Sequence, residues 1–223
     1  MSEHTTLKAE DGHQLDTYVA RPKGEPIATL VVVQEIFGVN AHIRSVADGY
    51  ARDGFLAVAP ALFDRIERGV ELKYEGEDGQ KAMALAGKLN MDDLLKDTRA
   101  AIDYARTQSG NKAGVIGYCL GGSIAWLCAC RFNVDAAVGY YGGYIPQFVG
   151  EQPKCPVMLH FGKKDNHIPL ESVDKVRAAH PDVQIYLYEA GHGFNCEARA
   201  SYEPESARIA RERSLAFLKK HLA

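Results

Sequence analysis

Cys119 sits in Val115-Ile116-Gly117-Tyr118-Cys119-Leu120-Gly121-Gly122-Ser123, where an apolar β-prone run passes into G-x-C-x-G and then into helix-forming residues. A sharp strand-to-helix turn of this composition pushes one side chain up from a sheet edge, with glycines where neighbouring backbone leaves no room for a Cβ. The helix that starts after Cys119 adds unpaired N–H groups and a positive dipole end, both of which favour a thiolate and a developing oxyanion. Two more residues of reactive type follow apolar runs: Asp165 in Gly162-Lys163-Lys164-Asp165-Asn166-His167, and His192 in Ala190-Gly191-His192-Gly193-Phe194. A thiol, an imidazole to take its proton and a carboxylate to orient the imidazole are the equipment for nucleophilic acyl transfer. The Leu120 N–H is aimed where an oxyanion would form, and a second donor comes from an earlier strand end, the N–H of Ile36. His167 competes for the base role but adjoins the acid and follows the same strand; His160 lies within a strand and reads as a core residue or one that backs the site residues. Glu35 follows a wholly apolar strand and falls near the nucleophile, where a carboxylate has a raised pKa or needs a hydrogen-bond partner.

These residues need a scaffold that brings distant loops to one edge. Alternation over 15–20 reads as a half-exposed edge strand, and the β-branched run 28–33 as a strand buried on both faces. Further strands are expected over 56–60, 113–116, 135–141, 156–161 and 184–188. Helices are expected over 42–52, 81–95, 97–107, after Cys119, over 170–179 and over 205–221, with Asp92 or Asp93 as caps between the second and third. The charged, glycine-bearing stretch 63–80 reads as a functional loop or surface excursion. Strands alternating with helices mean an α/β fold: one domain over 1–223, with a mainly parallel central sheet flanked by helices on both faces. In such a sheet the loops at the carboxyl ends of strands converge, and each reactive residue follows a strand.

Composition narrows the function classes. The 223 residues carry 26 basic and 29 acidic side chains with no basic block, which argues against a nucleic-acid partner. The polar start Met1-Ser2-Glu3-His4 has no signal-peptide character, and the longest apolar run, 124–130, is too short to span a membrane. Five cysteines cannot all pair within the chain, and Cys128 and Cys130 lack metal or redox spacing, so a reducing cytoplasm is expected. Cys128, Cys130 and Cys155 read as packing residues, and no metal is expected.

The motifs Gln34-Glu35-Ile36-Phe37-Gly38, Pro60-Ala61-Leu62-Phe63, Gly117-Tyr118-Cys119-Leu120-Gly121-Gly122, Ala137-Val138-Gly139-Tyr140-Tyr141-Gly142 and Gly191-His192-Gly193-Phe194 span nearly the whole chain. Together they resemble the dienelactone hydrolases (carboxymethylenebutenolidases), cysteine-dependent members of the α/β-hydrolase fold. The resemblance implies opening of a small lactone or ester through a thioester intermediate, with no cofactor. It also implies that Glu35 holds the resting thiol until substrate releases it to help form thiolate, and that Tyr140 lines the site. In the resembled family two arginines hold an anionic lactone by its carboxylate. Here the position four residues past the histidine is Cys196, and the other falls near Gln80 and Lys81. Lys81 acting as a point charge, or Arg199 or Arg65 reaching in, would replace them. A Cys196 close to Cys119 would allow a reversible inhibitory disulfide. Two other readings stay open: an esterase of the same fold acting on a neutral ester, and a non-catalytic small-molecule binding protein. Whether the chain is a monomer or a dimer also stays open.

Overall fold

A computed structural model describes residues 1–109 and 112–223. Its strands are β1 (Ser2–Lys8), β2 (Gln14–Ala20), β3 (Ala28–Val33), β4 (Phe55–Pro60), β5 (Ala113–Tyr118), β6 (Ala136–Tyr140), β7 (Val157–Gly162) and β8 (Gln184–Tyr188). They form one sheet in the order β1-β2-β4-β3-β5-β6-β7-β8, with β1 and β2 antiparallel to their neighbours and the other six parallel. The six parallel strands are the continuous apolar runs of the sequence, and β3 to β7 are buried along their whole length. Strand β1 has no counterpart among the expected elements. Its polar run shows no apolar alternation because most of its side chains face water, and its pairing with β2 makes β1, not β2, the sheet edge.

The helices are α1 (Ala41–Arg52), α2 (Glu77–Ala86), α3 (Met91–Ser109), α4 (Leu120–Arg131), α5 (Leu170–Ala179) and α6 (Pro204–Leu222). Successive strand residues face opposite sides of the sheet, so β5 reveals the layers. Gly117 backs onto Gly121 of α4, whereas Tyr118 faces His42 of α1, at 6.4 Å between rings. On that second face α1 and α6 are joined by the Arg211–Asp53 ion pair. The expected break between α2 and α3 moves: the chain leaves the helix at Gly87, and Asn90 caps α3 by accepting from Asp92 N–H at 2.9 Å and Asp93 N–H at 3.3 Å. Asp92 and Asp93 are therefore first-turn acids favoured by the helix dipole, not caps. Among the described residues no helix is long and apolar enough to cross a membrane.

The 63–76 excursion is built into the protein. Leu72 N–H donates to Phe37 O at 2.9 Å, Asn40 Nδ2 donates to Leu72 O at 2.9 Å, and Gly38 bridges Glu71. Phe37, Phe63, Val70, Leu72, Ala82 and Leu85 form a second apolar cluster, which lays Tyr74 over Phe37 with ring centres 4.4 Å apart. Arg65 anchors the start of the segment with ion pairs to Asp97 at 2.7 Å and Asp11 at 2.8 Å.

Candidate active site

The turn from β5 to α4 puts Cys119 at φ 54°, ψ −113°, a conformation costly for a residue with a side chain. It persists because the surroundings over-determine it. Cys119 N–H donates to Tyr140 O at 3.0 Å, Gly121 N–H donates to Gln34 O at 3.1 Å, and a Cβ at Gly117 or Gly121 would collide with backbone. The thiol is left half-buried at the head of α4. Among the described residues, the N–H groups of Leu120 and Ile36 take no part in the backbone bonds that hold this corner together.

His192 reaches the same point from the loop after β8. Its Nδ1 lies 2.8 Å from Asp165 Oδ2 and its Nε2 3.1 Å from Cys119 Sγ. A carboxylate only accepts, so Nδ1 carries a proton and Nε2 is the atom turned to sulfur. Asp165 is fixed from behind, its Oδ1 accepting from His167 N–H at 2.8 Å and Ile168 N–H at 3.2 Å. Ser201 Oγ donates to His192 O at 2.6 Å, which holds the loop from the other side. Burial opposes a charge on His192, but its hydrogen bonds to Asp165 and Cys119 outweigh that and raise its pKa to about 10. The arrangement favours a protonated imidazole paired with Asp165. His167 is exposed and only packs edge-on against His192, while His160 is fully buried below the site.

Glu35 is fully buried beside these groups, with Arg199 Nη1 3.5 Å from its Oε1. Its Oε2 finds no partner among the described residues. The thiol hydrogen-bonds His192, so the hold of Glu35 on it that the resemblance implies is not the arrangement seen here; the nearby guanidinium takes the carboxylate instead. Arg199 lies 5.4 Å from the Phe37 ring centre and 5.2 Å from that of Tyr74. Burial opposes its charge, but Glu35, Cys119, Tyr141 and Tyr74 hold its pKa above the usual arginine value. Gly193, at φ 76°, lets this side chain pass, since a Cβ there would run into Arg199.

Three expected substrate contacts change. Tyr140 is fully buried and its hydroxyl bonds Ser214 Oγ at 2.7 Å on the α6 side, away from the thiol. The neighbouring Tyr141, turned by a φ of 39°, is the tyrosine at the site, its ring 5.1 Å from His192. Its buried hydroxyl has no partner among the described residues. Lys81 is paired with Glu67 at 2.6 Å on an exposed surface. Cys196 is fully buried, and burial with the nearby Glu35 pushes its thiol up to about 11, leaving it neutral. All five cysteines are free, so no Cys119–Cys196 disulfide is formed. Arg65 is held by Asp97 and Asp11. Of the three basic residues considered in place of the missing arginines, Arg199 is the one beside Glu35 and within electrostatic reach of Cys119.

A sequence profile of the Dienelactone hydrolase family matches residues 15–222. The chain belongs to the dienelactone hydrolase family. A carboxymethylenebutenolidase of Pseudomonas putida is 36% identical over 98% of this chain and 96% of its own. The solved structure described as "Putative Dienelactone Hydrolase from Klebsiella pneumoniae subsp. pneumoniae MGH 78578" superposes with a TM-score of 0.86 at 31% identity, covering 97% of each chain. A dienelactone hydrolase-like promiscuous phosphotriesterase from metagenomic libraries shares the fold, with a TM-score of 0.80 at 19% identity over 100% of this chain and 99% of its own. Membership makes the chain a carboxylic ester hydrolase with the α/β-hydrolase fold, which sets aside the non-catalytic binding protein.

Proposed function

We propose that the chain opens small lactones and esters through a thioester on Cys119, with an anionic dienelactone-type lactone as its substrate. The observation that carries this reading is the bridging imidazole: His192 touches Asp165 at 2.8 Å and Cys119 at 3.1 Å, with all three at the carboxyl ends of strands. Sulfur attacks the ring carbonyl, and the negative charge moves to the carbonyl oxygen, facing the N–H groups of Leu120 and Ile36. As the intermediate collapses, the ring C–O bond breaks and His192 delivers its proton from Nε2 to the leaving oxygen. Water then attacks the thioester, giving up a proton to His192. The C–S bond breaks, the product acid leaves and releases its proton to solvent, and the thiolate and protonated His192 are restored. Asp165 keeps Nδ1 protonated throughout.

Arg199 supports an anionic substrate, because its guanidinium is the cation beside the nucleophile and its hold on Glu35 is long, at 3.5 Å. A neutral ester is the second reading, favoured by Cys196 and Lys81 standing where the resembled family has arginines. Five free thiols support a reducing, cytoplasmic setting. Replacing Cys119→Ala tests the machinery: hydrolysis of lactones and aryl esters should vanish, and unchanged turnover refutes the proposal. Comparing a carboxylate-bearing lactone with its methyl ester, on the parent and on Arg199→Met, separates the substrate readings. The anionic one requires a preference for the free acid that disappears in the variant.

A further inference from the structure

Below the site runs a buried chain of polar groups that the reaction does not use. Arg213 Nη1 donates to Tyr188 OH at 3.1 Å, and Tyr188 OH lies 2.8 Å from His160 Nδ1. His160 Nε2 lies 3.0 Å from Ser214 Oγ, which in turn meets Tyr140 OH at 2.7 Å. From the Arg213 end, one arrangement of protons satisfies the links as far as Ser214. A guanidinium only donates, so the Tyr188 oxygen accepts from Arg213, and the Tyr188 O–H proton finds its acceptor in a bare His160 Nδ1. The imidazole proton is then on Nε2 and goes to Ser214. A second proton on His160 would leave the Tyr188 hydroxyl proton without an acceptor. Burial and the Arg213 charge push the His160 pKa down to about 3, in keeping with a ring locked in one neutral tautomer.

The place of this chain gives it a role. Tyr188, at the end of β8, is four residues before His192, and His160, on β7, is five before Asp165. His160 O accepts from Tyr141 N–H at 2.8 Å, and Tyr141 packs on His192. The same strand ends are cross-tied by Lys163 N–H to Tyr188 O at 2.7 Å and Lys164 N–H to Ala190 O at 2.9 Å. Three groups that locate the His192 ring — its own loop, the Asp165 loop and Tyr141 — therefore meet at one residue, His160, whose ring bonds Tyr188 and whose carbonyl bonds Tyr141. We propose that His160 is a positioning residue: by bonding Tyr188 and Ser214 it holds β6, β7, β8 and α6 in the register that keeps the His192 imidazole between Asp165 and Cys119. This rests on the proposed roles of those three residues.

His160→Leu fills the volume and cuts the chain, whereas His160→Gln keeps an acceptor for Tyr188 and a donor for Ser214. In folded protein the Leu variant should lose kcat on the order of tenfold to hundredfold with KM little changed, because small displacements of reacting groups are that costly. Its alkaline activity limb should move to lower pH as the Asp165–His192 bond loosens, and the Gln variant should recover most of both. A Leu variant with the parent kcat and pH profile, or a Gln variant no better than Leu, overturns the proposal. Should His160→Leu not fold, Ser214→Ala replaces it, since it removes the link to α6 without touching the strands; an unshifted pH profile there overturns the proposal equally. Cys119→Ala run alongside keeps the two levels apart. Activity in that variant refutes the site, while an inactive Cys119→Ala beside unaffected His160 variants refutes only the positioning role.

Discussion

Replacing Arg199 by methionine would strand Glu35. The carboxylate is fully buried, Arg199 is its cation at 3.5 Å, and its second oxygen has no partner among the described residues. At that separation and an effective dielectric of about 20, the attraction is roughly 5 kcal/mol. Removing one partner of a buried pair costs about 3–5 kcal/mol because the other charge is left dry. The contact is long and the Arg199 side chain is 19% exposed, so the lower end applies, about 3 kcal/mol. Methionine keeps part of the packing between Phe37 and Tyr74 but loses the cation's attraction to their rings, about 0.5–1 kcal/mol each. With a urea slope of about 3 kcal/mol/M, the unfolding midpoint should fall by about 1 M. Adding Glu35→Gln should restore most of that loss, since a neutral amide needs no cation. An Arg199→Met midpoint within about 0.3 M of the parent, or a double variant no more stable than the single, would refute the view of Glu35 as a charge held in place by Arg199.

Three further outcomes follow from the same geometry. Asp165→Asn keeps the turn bonds but can present an amide N–H to His192, favouring the wrong tautomer; kcat should drop by about 10³ to 10⁴, measured by lactone opening, with little change in melting temperature. Because the His192 pKa is raised from 6.5 to about 10, its ion-pair stabilisation is complete below pH 6.5 and lost as pH climbs through about 10. Turnover should decline over the same alkaline range as the proton for the leaving oxygen disappears, which a pH–rate profile will read. His160 works in the opposite direction. With its pKa lowered from 6.5 to about 3, the unfolded chain takes up the proton first, so stability is full above pH 6.5 and falls toward pH 3, by up to about 5 kcal/mol at about 1.4 kcal/mol per pH unit. Urea titrations of the parent and His160→Gln at pH 7 and pH 4.5 should therefore converge at the lower pH.

Local pattern made much of the protein readable. The apolar runs that became β3 to β7 are buried strands, and their pattern is carried by neighbouring residues alone. The positions of Cys119, Asp165 and His192 followed from the same pattern, since each comes just after such a run and a parallel sheet gathers those ends. The polar strand β1 was invisible because it is a strand only through its pairing with β2. Which of two adjacent tyrosines meets the site turned on one backbone angle. Tyr140 keeps strand geometry and faces α6, while Tyr141 is swung toward His192 at a positive φ that no sequence period encodes. The guanidinium of Arg199, seven residues past His192, and the wall carrying Tyr74 arrive through folded loops, set by Gly193 and by the bonds of 71–72 to the Phe37–Asn40 turn. Sequence alone determined the parallel part of the sheet and the placement of Cys119, Asp165 and His192 just past its strands, because strands and turns obey short-range rules. Tertiary structure decided what surrounds the sulfur, because burial, charge pairing and side-chain direction depend on segments more than a hundred residues apart, as Glu35 and Arg199 are.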